Sequence, residues 1–482
     1  MGSEPSGASR RTGAAAEETI MEFEQFHLES LGHASYLVGS ADSGEALVLD
    51  PRRDVDVYVE AASQRGLRIR YVVDSHQHND YLSGIAELAD RTGATRLGSA
   101  EADLDYDHRP LQDGTELELG DVGVKVLHTP GHTPEHVSLL LYDGEQSADE
   151  PAMLLSGGAL LVGDLARPDL LGGEEETRRA AETFCHTIQT KLLELPDHVL
   201  VYPTHVAGSL CGASIGSRLS TTVGYEKRVN KILASVASTE EFVESCLDLR
   251  DLPAVPPYWP RMRGQNQHGP PLLGVVDPPA ALQPDVFAER AARDDTVVLD
   301  TRSPEAFASA HLPGAQNVGL GASFPTWAGT VIDPNVDILL VLDGPNELME
   351  ATWQLLRIGY DRPVGWLAGG MFAYRTTGRP LDRLPTMTVG EAADRLGEFE
   401  LLDVRQPGEW SAFHAPDARF ITGAELPDRL DEVPRDRQVL VTCGSGYRSS
   451  VAASLLARNG HDNVANLIGG MAAWKNAGLP LD

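Results

Sequence analysis

The chain has 482 residues, 42% of them apolar, a length that accommodates roughly three domains with real cores. A formal net charge of −32 speaks against a nucleic-acid partner, which recruits Lys and Arg to displace phosphate counterions. No run of about eighteen apolar residues and no basic-then-apolar leader is present, so no membrane span and no secretion are expected. In chain order, residues 1–21 read as a disordered tail rich in Gly, Ser and Ala. Its start, "MGSEPS", formally fits a myristoylation pattern but lacks the basic patch or second lipid signal that stable anchoring takes. Residues 22–250 alternate short apolar runs with amphipathic helices, such as "IRYVVDSHQHND" followed by "LSGIAELADRTG". Residues 251–276, with "LPAVPPYWPRMRGQNQHGPP", read as an ordered, extended, Pro-rich linker in which Tyr258 and Trp259 pack against a domain.

Residues 277–384 and 385–482 are two copies of one unit. "VVLDTRSPEAFASAHLPGA" (297–315) matches "ELLDVRQPGEWSAFHAPDA" (400–418), and "WLAGGMFAYRTTGRPLD" matches "NLIGGMAAWKNAGLPLD". The distance from the central loop to "GGM" is the same in both copies, 343 to 369 and 443 to 469. Strands alternating with helices make each copy α/β. The four cysteines, 185, 211, 246 and 443, fit neither a zinc ribbon nor a disulfide framework, so a reducing, cytoplasmic setting is expected.

Two constellations carry chemistry. Histidines sit at the ends of apolar strands in "SHQHNDY" (75–81), "TPGHTPEH" (129–136) and "YPTHVAG" (202–208). His76, His78 and Asp80 follow one another at two-residue steps along an extended segment. Imidazoles and a carboxylate converging from separate loops are what a borderline metal ion takes. The second constellation, "VLVTCGSGYRSSVAASLLARNG", is a strand, a loop and a helix. Cys443 ends the strand, and Gly444 and Gly446 let backbone N–H groups turn inward. The positive end of the helix beginning near Ser449 faces the loop. Those dipoles and Arg448 favour a thiolate or a persulfide anion at Cys443, with Gly444, Ser445, Gly446 and Tyr447 forming the substrate cradle. The first copy has Asp343 at the equivalent position; a carboxylate carries no sulfane sulfur, so that copy is expected to be a spacer or docking surface.

The histidine motifs, with "ARPDL" and "HVAGSLCG", resemble the metallo-β-lactamase superfamily and, within it, the persulfide dioxygenases. "CGSGYR" resembles the active loop of a rhodanese. The whole order resembles a persulfide dioxygenase fused to two rhodanese domains, the first degenerate. The resemblance implies a metallo-β-lactamase αββα sandwich followed by two rhodanese-like α/β domains. It also implies one Fe(II) per chain, or Zn in its place, held by His76, His132 and an Asp of a "T/S-G-D" element. That Asp maps onto Gly158 in "SGGALL", so the third ligand is expected from His78, Asp80 or Asp164, with His205 a further candidate. Tyr81 replaces a common second-metal histidine. Cys211 reads either as a buried apolar thiol or, as the resemblance suggests, as a thiol relaying persulfide beside the metal. His136, Arg167 and Asp169 are expected to brace the site, and Asp403 and Arg405 the rhodanese loop. The implied function is oxidation of a small thiol persulfide by O2 to sulfite, coupled to sulfur transfer giving thiosulfate, in a homo-oligomer. The alternatives are a metal-dependent thioester hydrolase of glyoxalase II type, or a sulfurtransferase carrying a dead metal domain.

Overall fold

The structure, a computed structural model, describes residues 21–144, 146–249 and 252–482. The tail expected at the N-terminus lies, up to residue 20, outside the described residues, together with its myristoylation pattern. Among the described residues no helix is long and apolar enough to cross a membrane.

The N-terminal domain is two stacked six-stranded sheets. The first has the order β1 (Met21–Leu28), β2 (His33–Ser40), β3 (Glu45–Leu49), β4 (Arg68–Val73), β5 (Thr95–Ser99), β6 (Arg109–Leu111). The second runs from β7 (Glu116–Leu119) through β8 (Val122–His128), β9 (Val137–Asp143) and β10 (Met153–Gly157) to β11 (Leu200–Pro203) and β12 (Thr221–Thr222). Alternation within the strands explains the stacking: Val122, Val124 and Val126 of β8 are buried while the residues between them are partly exposed. They meet Tyr36, Leu47, Leu49 and Val73 of the other sheet in one cluster. Helices cover both outer faces. Asp56–Gln64 and Ile85–Thr92 bury Tyr58, Ile85 and Leu88 against the first sheet, and Glu174–Thr187 buries Phe184 and Cys185 against the second. The result is an αββα sandwich.

The two repeats have matching parallel sheets. The first is ordered β13 (Ala280–Leu282), β17 (Pro363–Leu367), β16 (Asp337–Val341), β14 (Thr296–Asp300), β15 (Gln316–Asn317). The second is ordered β18 (Thr386–Met387), β22 (Val464–Leu467), β21 (Gln438–Thr442), β19 (Phe399–Asp403), β20 (Arg419–Phe420). The Asp-x-Arg pairs of both copies are buried ion pairs, Arg302 to Asp300 and Arg405 to Asp403, that brace the strand end beside each loop.

The segment expected to be an extended linker contains a helix, Trp259–His268. Pro260 sits in its first turn, where a missing N–H costs nothing and the fixed φ suits the helix. Tyr258, Trp259 and Met262 do pack against domains. They belong to one apolar cluster that runs from Leu31 and Leu82 of the sandwich into Phe324 and Leu355 of the first repeat and on to Val451 of the second.

Candidate functional site

The histidine turns lie at one edge of the sandwich because each follows a strand end, β4, β8 or β11, and the Gly158 turn follows β10 beside them. Asp50, at the end of β3, organises the first of them from the left-handed conformation (φ 54°) that Asp tolerates. It accepts from Ser75 N (2.6 Å), Ser75 Oγ (2.8 Å), His78 Nε2 (3.1 Å) and Thr204 Oγ1. Burial alone would raise its carboxyl; His78, Thr204 and Ser75 more than reverse that and hold it low. Ser75 Oγ, having donated to Asp50, accepts from His76 Nδ1 (2.8 Å), which leaves the His76 Nε2 lone pair free. His132 Nδ1 donates to Arg167 O (2.8 Å), so its Nε2 is free as well. His205 Nε2 lies 3.3 Å from His76 Nε2, and its Nδ1 faces Ser209 Oγ (3.4 Å) and Asp80 Oδ2 (3.7 Å). Ring centroids are 4.9 Å apart for His76 and His132 and 5.4 Å for His132 and His205.

Burial keeps these rings neutral, the form that ligates. It lowers His132 to about 4, and His76 and His205 well below the usual imidazole value, assisted by their histidine neighbours. His136 is also neutral, lowered to about 3 by burial, but both its nitrogens are used: Nε2 accepts from Gly158 N and Nδ1 donates to Thr129 Oγ1, each at 2.8 Å. It braces the Gly158 turn, and His76 stacks on it with centroids 5.2 Å apart.

The three residues expected to replace the missing carboxylate are placed differently from one another. Asp164 is buried, but Oδ1 accepts from Leu165 N (2.9 Å) and Oδ2 from Ser214 N (2.8 Å), so loop backbone uses it up and it does not join the imidazoles. His78 lies in the cluster, with a ring nitrogen within 4.8 Å of those of His76 and His205, yet it donates to Asp50. Burial alone would lower His78; Asp50 overrides this and lifts it to about 9, so its nitrogens carry protons rather than lone pairs. Asp80 is buried with both oxygens lacking a hydrogen-bond partner, and burial raises it to about 6.

Cys211 is 1% exposed, and burial pushes its thiol well up. Its Sγ and one ring nitrogen each of His132 and His205 lie within 4.8 Å of one another. Arg167 connects this group. Its N–H donates to Cys211 O (2.8 Å), its carbonyl takes the His132 proton, and its guanidinium is held by Asp169 at 2.6 and 2.7 Å. A narrow cleft lined by His76, Gln77, Tyr106, Glu135 and Asn266 reaches the cluster.

In the second repeat, Cys443 Sγ accepts from Gly446 N (3.2 Å) and Ser449 Oγ (3.4 Å) at the start of the helix Tyr447–Arg458. The "GGM" turn supports the loop from behind: Met471 N donates to Cys443 O (2.7 Å) and Ala472 N to Gly444 O (3.0 Å). A Cβ on Gly470 would come within 2.3 Å of Cys443 O, which is why glycine stands there. Arg448 makes a two-point ion pair with Glu409, at 2.5 and 2.7 Å, a partner that only the fold brings to it, from 39 positions upstream. The first repeat touches the same loop: Tyr447 Oη donates to Gly319 O (2.7 Å), and Ser450 Oγ to Asn317 Oδ1 (2.7 Å). A cavity of about 260 Å³ opens over Ser445 and Gly446, lined also by Pro304, Ala308 and Ile468. Asp343 of the first repeat is exposed, with its backbone N–H on Glu347.

A model of the metallo-β-lactamase superfamily matches residues 29–205, and a model of the rhodanese-like domain matches 283–377 and 388–477. Mitochondrial persulfide dioxygenase ETHE1 of Bos taurus is 30% identical over 255 residues, 51% of this chain and 86% of that protein. The chain belongs to the persulfide dioxygenases, fused here to two rhodanese-like domains. A sulfurtransferase of Allochromatium vinosum is 39% identical over 92 residues, 18% of this chain and 86% of that protein. The crystal structure of a metallo-β-lactamase from Staphylococcus aureus is 31% identical, covers 72% of this chain and 99% of that one, and superposes with a TM-score of 0.64. This fusion is therefore an enzyme of sulfur metabolism.

The metal that such a fusion implies can be tested against the donors present. Two imidazoles with a carboxylate from position 158 are not available, since that residue is glycine. His205 is shared by two clusters whose ligand atoms lie within 4.8 Å of one another, one with His76 and His78 and one with His132 and Cys211, and a buried, unpartnered carboxylate, Asp80, lies behind it; neutral imidazoles gathered in this way fit one divalent ion. His76, His132 and His205 are the residues that would hold it.

Proposed function

We propose that the chain oxidises a low-molecular-weight persulfide to sulfite at the imidazole cluster and passes sulfane sulfur through Cys443 to give thiosulfate. The first reaction balances as RSSH + O2 + H2O giving RSH, sulfite and two protons. One iron(II) on His76, His132 and His205 would supply the open positions at which a sulfur anion and dioxygen react. The protein's part is to hold those rings in one tautomer, His76 through Ser75 and Asp50, His132 through Arg167, and to keep them neutral by burial.

At the second site, the Cys443 thiolate attacks the outer sulfur of a persulfide. An S–S bond forms to Cys443, the substrate's S–S bond breaks, and RS⁻ leaves. Sulfite then attacks the outer sulfur of the deprotonated enzyme persulfide, releasing thiosulfate and restoring the thiolate. Gly446 N–H and Ser449 O–H, which reach Sγ, offset the negative charge throughout. The observation carrying the reading is this two-donor cradle around a buried Cys443 in the same chain as the imidazole cluster. Likeness to persulfide dioxygenases supports it. The fusion also keeps the sulfite made at one site close to the other.

Oxygen uptake and sulfite release by iron-loaded protein given a hydropersulfide test it. Cys443→Ser is expected to abolish thiosulfate formation while sparing oxygen uptake. Absence of uptake in iron-loaded protein sinks the oxygenase half, and thioester hydrolysis without oxygen would put a hydrolase in its place. Loss of both activities in Cys443→Ser would show that the two sites are not separable.

A further inference from the structure

We propose that the Cys211 thiolate is a ligand of the metal, standing in for the carboxylate absent at position 158. The proposal rests on reading the imidazole cluster as a metal centre, and it names the donor that completes it.

Charge poses the problem. Three neutral imidazoles leave the full charge of a divalent ion in a buried site, where the Asp that the resemblance implies would have supplied one negative charge. The three residues expected to replace the carboxylate are otherwise occupied or face elsewhere. Asp164 is held by Leu165 N and Ser214 N, and His78 donates to Asp50. Asp80 lies on the Nδ1 side of His205, away from the Nε2 that faces His76. A carboxylate behind a ligating imidazole is the ordinary arrangement for aiming the opposite nitrogen at a metal. Asp80 is thus a positioning residue.

Cys211 remains. Its sulfur is grouped with ring nitrogens of His132 and His205, whereas no carboxylate joins either imidazole cluster that contains His205 among the described residues. Its backbone is fastened at both ends of the same network. The carbonyl takes the N–H of Arg167, the residue that orients His132, and its N–H donates to Ser209 Oγ, which faces His205 Nδ1. Binding exchanges the thiol proton for the ion: Cys–SH and M²⁺ give Cys–S–M⁺ and a proton, restoring the single negative charge. The donor set becomes three imidazoles and a thiolate. Such a set fills a tetrahedral zinc ion and leaves it closed, but leaves positions open on a six-coordinate iron.

The test uses full-length protein in a Cys443→Ser background, so that the loop thiol contributes nothing, loaded with cobalt(II) alone. The expected result is one cobalt per chain with an intense near-ultraviolet sulfur-to-cobalt charge-transfer band. Cys211→Ser should remove the band and weaken cobalt binding at least about tenfold. Cys211→Asp should keep one cobalt without the band. One cobalt per chain lacking the band in the parent protein overturns the proposal and leaves the metal centre standing, as does a band that survives Cys211→Ser. No cobalt bound by the parent overturns both. A band in the parent, with no oxygen uptake by the iron form, upholds the thiolate ligand and removes only the oxygenase. The parent spectrum decides even if a variant fails to fold.

Discussion

At position 158 the chain carries hydrogen where the resemblance implies a carboxylate, and the surroundings leave no room for one. The Gly158 N–H holds His136, and a Cβ there would come within 2.6 Å of His132 Cδ2 and 3.3 Å of Ala166 Cβ. A new carboxylate must therefore push the His132 ring off Arg167 O. Gly158→Asp is expected to lower stability by about 1–3 kcal/mol, as overpacking does, and to leave iron content no higher. Urea midpoints and metal analysis check this. More iron at undiminished stability would show that the ring yields easily. His76, His132 and Cys443 were legible in the sequence because their signals are local: a histidine at a strand end, a cysteine before a glycine-rich turn. Asp50 and Cys211 could not be placed the same way. Asp50 acts on Ser75 and Thr204, one of them 154 positions away, and for Cys211 the sequence leaves two readings open, a buried apolar thiol or one beside the metal, while the fold groups it with His132 and His205.

Among the elements, the helix Trp259–His268 departs most from expectation. The prolines in and around it read as linker, because Pro signals both an extended chain and a helix start, and only packing separates the two. The helix grips the loop that carries His76, His78 and Asp80. Asn266 Oδ1 accepts from Ser83 N (2.9 Å), and Nδ2 donates to His78 O (2.8 Å) and Tyr81 O (2.9 Å). Tyr258 Oη donates to Asp80 O (3.1 Å), and Arg263 reaches Gln77 O (3.1 Å) and Glu135. Asn266→Ala leaves one buried N–H and two carbonyls without that partner. The expected cost is at least about 2 kcal/mol of unfolding free energy, since each orphaned group loses its desolvation compensation. Metal binding should weaken as well, because the loop presenting His76 is loosened. Denaturant unfolding and metal titration read the two effects; a variant as stable as wild type would mean that the helix merely passes by. The repeat, by contrast, was fully legible as an element pattern, because two copies at one spacing identify each other without any knowledge of packing.

Over the whole molecule, domain order could be read from motifs, but docking could not, since it is made by residues some three hundred positions apart. Arg357 of the first repeat pairs with Asp54 of the sandwich at 2.7 and 3.0 Å, both buried or nearly so, and its carbonyl takes the N–H of Leu82, next to the histidine-bearing loop 75–81. Arg53 crosses in the other direction to Leu356 O (2.8 Å) and Asp361 (2.6 Å). With the apolar cluster continuous across this seam, the sandwich and first repeat should unfold as one cooperative unit. Arg357→Met removes one member of a largely buried ion pair and strands Asp54, whose remaining cation is Arg52 at 3.0 Å. Breaking such a pair costs about 3–5 kcal/mol, here moderated by Arg52 towards the lower figure. Because that energy is held at the seam, the loss should separate the unit, and calorimetry should show the single transition splitting in two. A variant that melts lower but still in one step would place the cooperativity in the apolar cluster and the Trp259–His268 helix. The charge pair would then serve register between domains, the better-attested use of a buried ion pair.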